Sequence, residues 1–96
     1  MRQTYIVCYD VGCPKRWRSV FKTMRGYGDS VQYSVFRCEL TKREMVDLRE
    51  KLRGMIHHGE DRVLFVDVGP SEGRGKAGIW SMGRTYVAPE VVAVVG

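Results

Sequence analysis

The chain has 96 residues, the size of one small domain. Sixteen Lys and Arg residues against 11 Asp and Glu give a net charge of +5. No apolar run approaches the ~20 residues that a membrane-spanning helix needs, and the first residues lack the apolar core of a secretory signal. The three cysteines form no C-x-x-C pair. We therefore expect a reducing, cytoplasmic setting, no membrane association and no structural zinc site.

The first predicted element is a buried strand over residues 3–10. Its residues are mostly apolar or β-branched, which is typical of a strand in a sheet core. Asp10 stands at its end, where the backbone leaves the core and a carboxylate can reach a cation or a substrate. Pro14 follows closely and suits the first turn of a helix.

The helix that begins at Pro14 carries two distinct faces. One is apolar, with residues at positions i, i+3, i+4 and i+7: Trp17, Val20, Phe21 and Met24. Beside it runs a row of cations, which we call the basic stripe: Lys15, Arg18, Lys22 and Arg25. Gly26 and Gly28 are predicted to stop the helix.

The second half of the chain repeats the pattern of strand and helix. Residues 31–40 are long enough for one bent strand or two short ones. Thr41 and Glu44 form a capping box for a second helix, which is predicted to end at residues 57–59 and to bury Met45, Leu48, Leu52, Met55 and Ile56. A further strand is predicted over 62–68, a flexible Gly-rich loop over 69–78, a short strand over 79–82 and an apolar tail over 87–95.

This element order predicts an α+β fold: a ferredoxin-like βαββαβ sandwich with an extra C-terminal strand. Residues 1–96 would form a single domain, with residues 79–96 as a C-terminal extension. The first and fourth strands are apolar on both faces, and a chain this short has no spare helix to cover the second face. We therefore expect a homodimer in which two sheets pack together and the tail adds to the partner's sheet edge.

The junction after Asp10 suggests chemistry on phosphodiesters, because cations can hold phosphates while a carboxylate holds a metal. The same residues also have purely structural explanations. Asp10 could instead cap the helix and pair with Arg16 or Arg18, and the basic stripe could be a solvated surface. Phe36 could stack on a base if it faces outward, or it could be a core residue.

Three segments of the first half of the chain together resemble one known family. They are Tyr9-Asp10-Val11, the helix Lys15-Arg16-Trp17-Arg18-Ser19-Val20-Phe21-Lys22 with Gly26-Tyr27-Gly28, and the run Val31-Gln32-Tyr33-Ser34-Val35-Phe36-Arg37-Cys38-Glu39-Leu40. The chain resembles the CRISPR-associated protein two family, the small partner in the spacer-acquisition machinery. The resemblance runs from about Thr4 to Leu40.

The resemblance implies a homodimer in the prokaryotic cytoplasm, with Asp10 of each protomer near the twofold axis. It implies an endonuclease for single-stranded RNA or double-stranded DNA that depends on Mg²⁺, or on Mn²⁺ as an alternative ion. Asp10 would be the catalytic and metal-binding residue. Nucleic acid would contact the basic stripe and the residues that match the family, Arg16, Arg18 and Phe36. Some family members carry a basic residue at the position of Ser30. Because serine has no positive charge, the resemblance does not imply a phosphate contact at this position.

The resemblance also implies a second function, which differs from the first in class. In the alternative, the protein is a non-catalytic scaffold that bridges dimers of the CRISPR-associated integrase (protein one) and holds prespacer duplex DNA. A third possibility is an RNA-recognition module on the same fold. The chain lacks the aromatic motif of such modules, which argues against it.

Overall fold

The computed structural model describes residues 1–84. The chain forms β1 (Gln3–Asp10), α1 (Pro14–Arg25), β2 (Gly28–Gln32), β3 (Val35–Leu40), α2 (Lys42–Arg53), β4 (Arg62–Pro70) and the short α3 (Arg74–Ala77). The four strands make one sheet in the order β2-β3-β1-β4, and every neighbouring pair is antiparallel. This order is that of a ferredoxin-like βαββαβ sandwich, so the predicted α+β fold class is confirmed.

The core lies between one face of the sheet and the two long helices. Strands β1 and β3 contribute Val7, Tyr9, Phe36, Cys38 and Leu40, and the helices contribute Val20, Met24, Met45, Leu48 and Leu52. The capping box predicted at the start of α2 is present: the Glu44 amide donates to Thr41 Oγ1, and the Thr41 amide donates to the Glu44 carboxylate. At the other end of α2, Gly54 is the cap residue, and its amide donates to the carbonyls of Glu50 and Leu52.

The opposite face of the sheet carries apolar side chains that the helices do not cover. The antiparallel register places Ile6 beside Val66 and Cys8 beside Leu64. Leu64 and Val66 are exposed, whereas Val63 and Phe65 of the same strand pack against the core. The expectation that β4 is apolar on both faces is therefore confirmed.

The segment predicted as one bent strand or two short ones is a hairpin. Strand β2 starts at Gly28, three residues earlier than predicted, because Gly28 lies against β3. A Cβ at this position would meet the Arg37 carbonyl and Cys38 Sγ. Tyr33 and Ser34 form the turn between the strands, and Ser34 has a positive φ of 59°.

Three predictions for the second half of the chain were wrong, and β4 also extends to Pro70, two residues beyond its predicted end. Helix α2 ends at Arg53, not at residues 57–59, although Met55 and Ile56 still pack against the core. The Gly-rich segment contains helix α3, whose buried Gly75 lies too close to Thr4 and to the Pro70 carbonyl for any side chain. Residues 79–82 form no strand. The predicted tail, 87–95, lies outside the described residues.

Across residues 1–84, no helix is long and apolar enough to cross a membrane.

Candidate nucleic-acid interface

Asp10 is exposed at the end of β1, where the backbone turns toward α1. Its neighbour across the sheet is Arg62, the first residue of β4. Among residues 1–84 the Asp10 carboxylate makes no hydrogen bond or ion pair. The cap residue of α1 is Cys13, and Asp10 does not cap the helix. The alternative in which Asp10 caps α1 and pairs with Arg16 or Arg18 is therefore not realised, and its carboxylate faces solvent.

Arg16 is engaged within the protein by an acid that sequence reasoning missed. Its Nε donates to Asp61 Oδ2 at 2.8 Å, and its Nη2 donates to Asp61 Oδ1 and to Glu60 Oε2, each at 3.2 Å. Asp61 also accepts the amide N–H groups of Gly12 and His57, at 3.1 and 2.8 Å. The Arg16 side chain thus ties the first turn of α1 to the start of β4. The structure thus gives Arg16 a structural role, and its contact with nucleic acid stays a prediction.

The Asp61 carboxylate is held in its charged form. Its side chain is 0% exposed, and the Arg16 guanidinium, followed by the His57 amide, holds the pKa of that carboxyl well below its usual range. The sequence offered one signal, an acid in a polar turn just before a strand. Its partner, 45 residues away along the chain, could not be read from that signal.

The basic stripe lies open on the surface of α1. Lys15, Arg18, Lys22 and Arg25 are all exposed, and within the described part of the chain none of them pairs with an acid. The Arg25 guanidinium lies 5.8 Å from the centre of the Phe21 ring, a cation–π distance. Helix α1 itself contains no acidic residue. The stripe therefore offers four charges that nothing on this helix neutralises.

Phe36 does not lie on this surface. It is 0% exposed, and its ring contacts those of Tyr9 and Phe21 at centroid distances of 6.2 and 5.6 Å. The register of β3 turns the side chain toward the helices, so the core alternative is correct. Phe36 cannot stack on a base in this structure.

An exposed aromatic residue that sequence reasoning left aside is Tyr33. It is 80% exposed in the turn between β2 and β3, and its ring stacks on that of Trp17. The alternating pattern had placed Tyr33 inside a strand, which hid its position at a turn. The Tyr9 ring lies next to Trp17. Burial raises the pKa of the Tyr9 hydroxyl to about 12, and the nearby Tyr33 adds to the rise. The Tyr9 hydroxyl is therefore neutral at physiological pH.

One protomer supplies a single free carboxylate to a metal at this end of the sheet. Within residues 1–84 no group of three His, Cys, Asp or Glu side chains could hold an ion, and Asp61 is occupied by Arg16. Mg²⁺ uses one or two carboxylates together with water and substrate phosphates. Asp10 therefore fits as one ligand of a site shared with a substrate or a second protomer, and not as a complete site.

Comparison with known proteins places these features in a family. Residues 3–73 match the family model described as CRISPR associated protein Cas2. The chain is 42% identical to the CRISPR-associated endoribonuclease Cas2 1 of Rhodospirillum rubrum, over 95% of this chain and 88% of that protein. It is 40% identical to the CRISPR-associated endoribonuclease Cas2 of Geobacter sulfurreducens, over 90% of each protein.

A solved structure gives the same assignment. The crystal structure of Streptococcus pyogenes Cas2 at pH 6.5 superimposes with a TM-score of 0.72 at 33% sequence identity, covering 83% of this chain and 99% of that one. The match to the family model covers the strand-end Asp10 and the basic helix, and it continues through the hairpin, α2 and β4. The chain thus belongs to the CRISPR associated protein Cas2 family.

Proposed function

We propose that this protein is a homodimeric, metal-dependent endonuclease that acts in CRISPR spacer acquisition. The observation that carries the proposal is the exposed Asp10 carboxylate, which has no partner among residues 1–84, at the start of the loop that leads into the basic stripe. The acid is exposed and has no partner, and no acid on α1 neutralises the cations that follow it along the chain. This combination suits the binding of a polyanion together with a metal ion. The names of the relatives in Rhodospirillum and Geobacter, both endoribonucleases, favour RNA as the substrate.

In this proposal the basic stripe, Asp10 and Arg16 have different roles. The four cations of the basic stripe hold successive phosphates and set the position of the backbone without reading sequence. Asp10 of each protomer provides one carboxylate for Mg²⁺ or Mn²⁺, and substrate and water supply the remaining ligands. The ion would supply a more acidic water and stabilise charge on the phosphate. Arg16, held by Asp61, keeps the loop between β1 and α1 in place.

Dimerisation is part of the proposal because one protomer has a single carboxylate at the site and an uncovered apolar sheet face. Two sheets packed through the face that carries Ile6, Leu64 and Val66 would remove that face from water. Residues 79–96 are proposed to contribute to the dimer.

The first test compares wild type with Asp10→Asn, which keeps the shape of the side chain and removes its charge. Cleavage of single-stranded RNA and of duplex DNA is measured with Mg²⁺, with Mn²⁺ and with EDTA. Asp47→Asn, which changes an exposed acid on α2, is the matched control. We expect Asp10→Asn to lower kcat by roughly 100-fold or more, the scale of losing one charge-stabilising group, and EDTA to abolish cleavage. Equal activity of wild type and Asp10→Asn would refute the catalytic role.

The second candidate function is a non-catalytic scaffold that bridges integrase dimers and holds duplex DNA. The single carboxylate of each protomer also favours this function. A scaffold needs the basic stripe to hold DNA, but it does not need a full set of metal ligands. Under this function wild type and Asp10→Asn would both lack cleavage, while duplex binding would persist and fall steeply with salt. Removing Lys22 by Lys22→Ala would then reduce the salt slope by about one.

A further inference from the structure

The rings of three aromatic side chains form a column on the surface beside α1, which we call the aromatic column: Tyr33, Trp17 and Phe21. The Tyr33 and Trp17 rings have centroids 5.0 Å apart and planes 15° apart. The Trp17 and Phe21 rings are 5.2 Å and 12° apart. These are the geometries of stacked aromatic pairs. Because Tyr33 is 80% exposed, one face of its ring lies on Trp17 and the other is open to solvent.

The end of the aromatic column is fixed by the turn that carries Tyr33. Ser34 adopts a positive φ of 59°, and its carbonyl accepts the Tyr9 amide at 3.0 Å. Its hydroxyl accepts the Trp17 indole N–H at 2.9 Å. The turn is thus bonded both to the central strand β1 and to the second ring of the column. A side chain that is already in place loses little conformational entropy when a ligand binds to it.

The aromatic column runs along the basic stripe. Successive residues of a helix are rotated by about 100°, so Arg18 and Lys22, each one residue after Trp17 and Phe21, project beside the column. Arg25 lies over the Phe21 ring, at the end of the column opposite Tyr33. A backbone that follows the basic stripe would therefore carry its bases past the open face of Tyr33.

We propose that the open face of Tyr33 is a stacking site for one unpaired nucleobase, at a single-stranded segment or frayed end of the bound nucleic acid. The inference rests on the proposed nucleic-acid binding and adds a base contact to it. Every base has a π-face, so such a site binds without strong sequence preference. Bases inside a duplex have both faces covered by their neighbours, which restricts the site to unpaired bases.

The test measures binding of a short oligothymidylate and of an abasic oligomer with the same number of phosphates. Fluorescence anisotropy in EDTA avoids cleavage. We expect Tyr33→Ala to weaken oligothymidylate binding by roughly 5- to 150-fold, which is the effect of one stacked base, and to leave abasic binding unchanged. Tyr33→Phe keeps the ring and should bind like wild type. Val46→Ala, at an exposed apolar residue of α2 outside the column, is the control and should bind both oligomers like wild type.

Each other outcome overturns the proposal in a distinguishable way. If wild type prefers the oligothymidylate and Tyr33→Ala binds it equally well, the base is recognised elsewhere and only this inference fails. If Tyr33→Ala loses both oligomers alike, while its Tm equals that of wild type, Tyr33 acts on the backbone. If wild type binds neither oligomer at low salt, the proposed nucleic-acid binding fails together with the stacking site.

Discussion

At the scale of single residues, Asp10 and Asp61 show how environment separates two acids with the same side chain. Both flank the connections at one end of the sheet. Asp61 receives four hydrogen bonds from Arg16, Gly12 and His57, while Asp10 has no partner among residues 1–84. Asp61 is therefore a structural acid, and the carboxylate of Asp10 remains available to an external cation.

The depressed pKa of Asp61 predicts a specific dependence of stability on pH. A carboxyl whose pKa is lower in the folded state stabilises the fold fully above the unfolded pKa, about 3.9. That contribution is lost as the pH falls through the folded pKa. We expect Asp61→Asn to lower the Tm by several degrees at neutral pH and to lose less further stability than wild type below about pH 4.

Thermal unfolding followed by circular dichroism across the acid range checks this prediction. Asp47→Asn removes an exposed carboxylate from α2 and should leave the pH profile of wild type unchanged. Parallel profiles for wild type and Asp61→Asn would show that the ion pair with Arg16 contributes nothing to stability.

At the scale of elements, the hairpin of β2 and β3 decides which aromatic residues reach the surface. Had residues 31–40 been one continuous strand, Tyr33 and Val35 would share a face and Phe36 would lie opposite. The turn at Tyr33 and Ser34 breaks this alternation. It leaves Phe36 buried under α1 and sends Tyr33 outward onto Trp17.

The placement of Phe36 predicts an effect on stability and not on binding. Phe36→Ala removes a fully buried ring, and we expect it to cost about 3–5 kcal/mol of unfolding free energy. Phe36→Leu keeps most of the apolar volume, so it should fold and bind nucleic acid like wild type. Urea unfolding and duplex titration of both variants check this. A folded Phe36→Leu variant with a large loss of binding would restore the base-stacking role.

At the scale of the whole molecule, the uncovered sheet face is the feature that a monomer leaves unexplained. Val66 is 50% exposed on this face, and Val46 is 56% exposed on α2. The two residues therefore form a matched pair, with the same side chain and nearly the same exposure in the protomer. Only Val66 would become buried if two sheets pack together.

We expect Val66→Lys to raise the dissociation constant of the dimer by about tenfold or more, because an unpaired charge would be buried in the interface. Val46→Lys should leave it unchanged. Sedimentation equilibrium over a range of protein concentrations measures both. A wild-type chain that is monomeric at every concentration would refute the sheet-to-sheet dimer.

The sequence alone determined the elements whose signals are local. Apolar periodicity located β1 and α1, and Thr41 with Glu44 marked the start of α2, because such patterns depend on residues a few positions apart. The family resemblance pointed to Asp10 and to the helix that carries the basic stripe. The structure agrees with the sequence on both features. Asp10 is an exposed acid at the end of β1, and the basic stripe is an exposed surface of α1.

Only the tertiary structure decided which of the candidate residues are free. Arg16 is occupied because Asp61, remote in sequence, lies beside it. Phe36 is buried because the turn at Ser34 sets its side of the sheet, and Tyr33 is exposed for the same reason. These outcomes depend on contacts between segments distant along the chain, which no local pattern encodes. Whether a charge or a ring is available to a ligand is therefore a property of the fold.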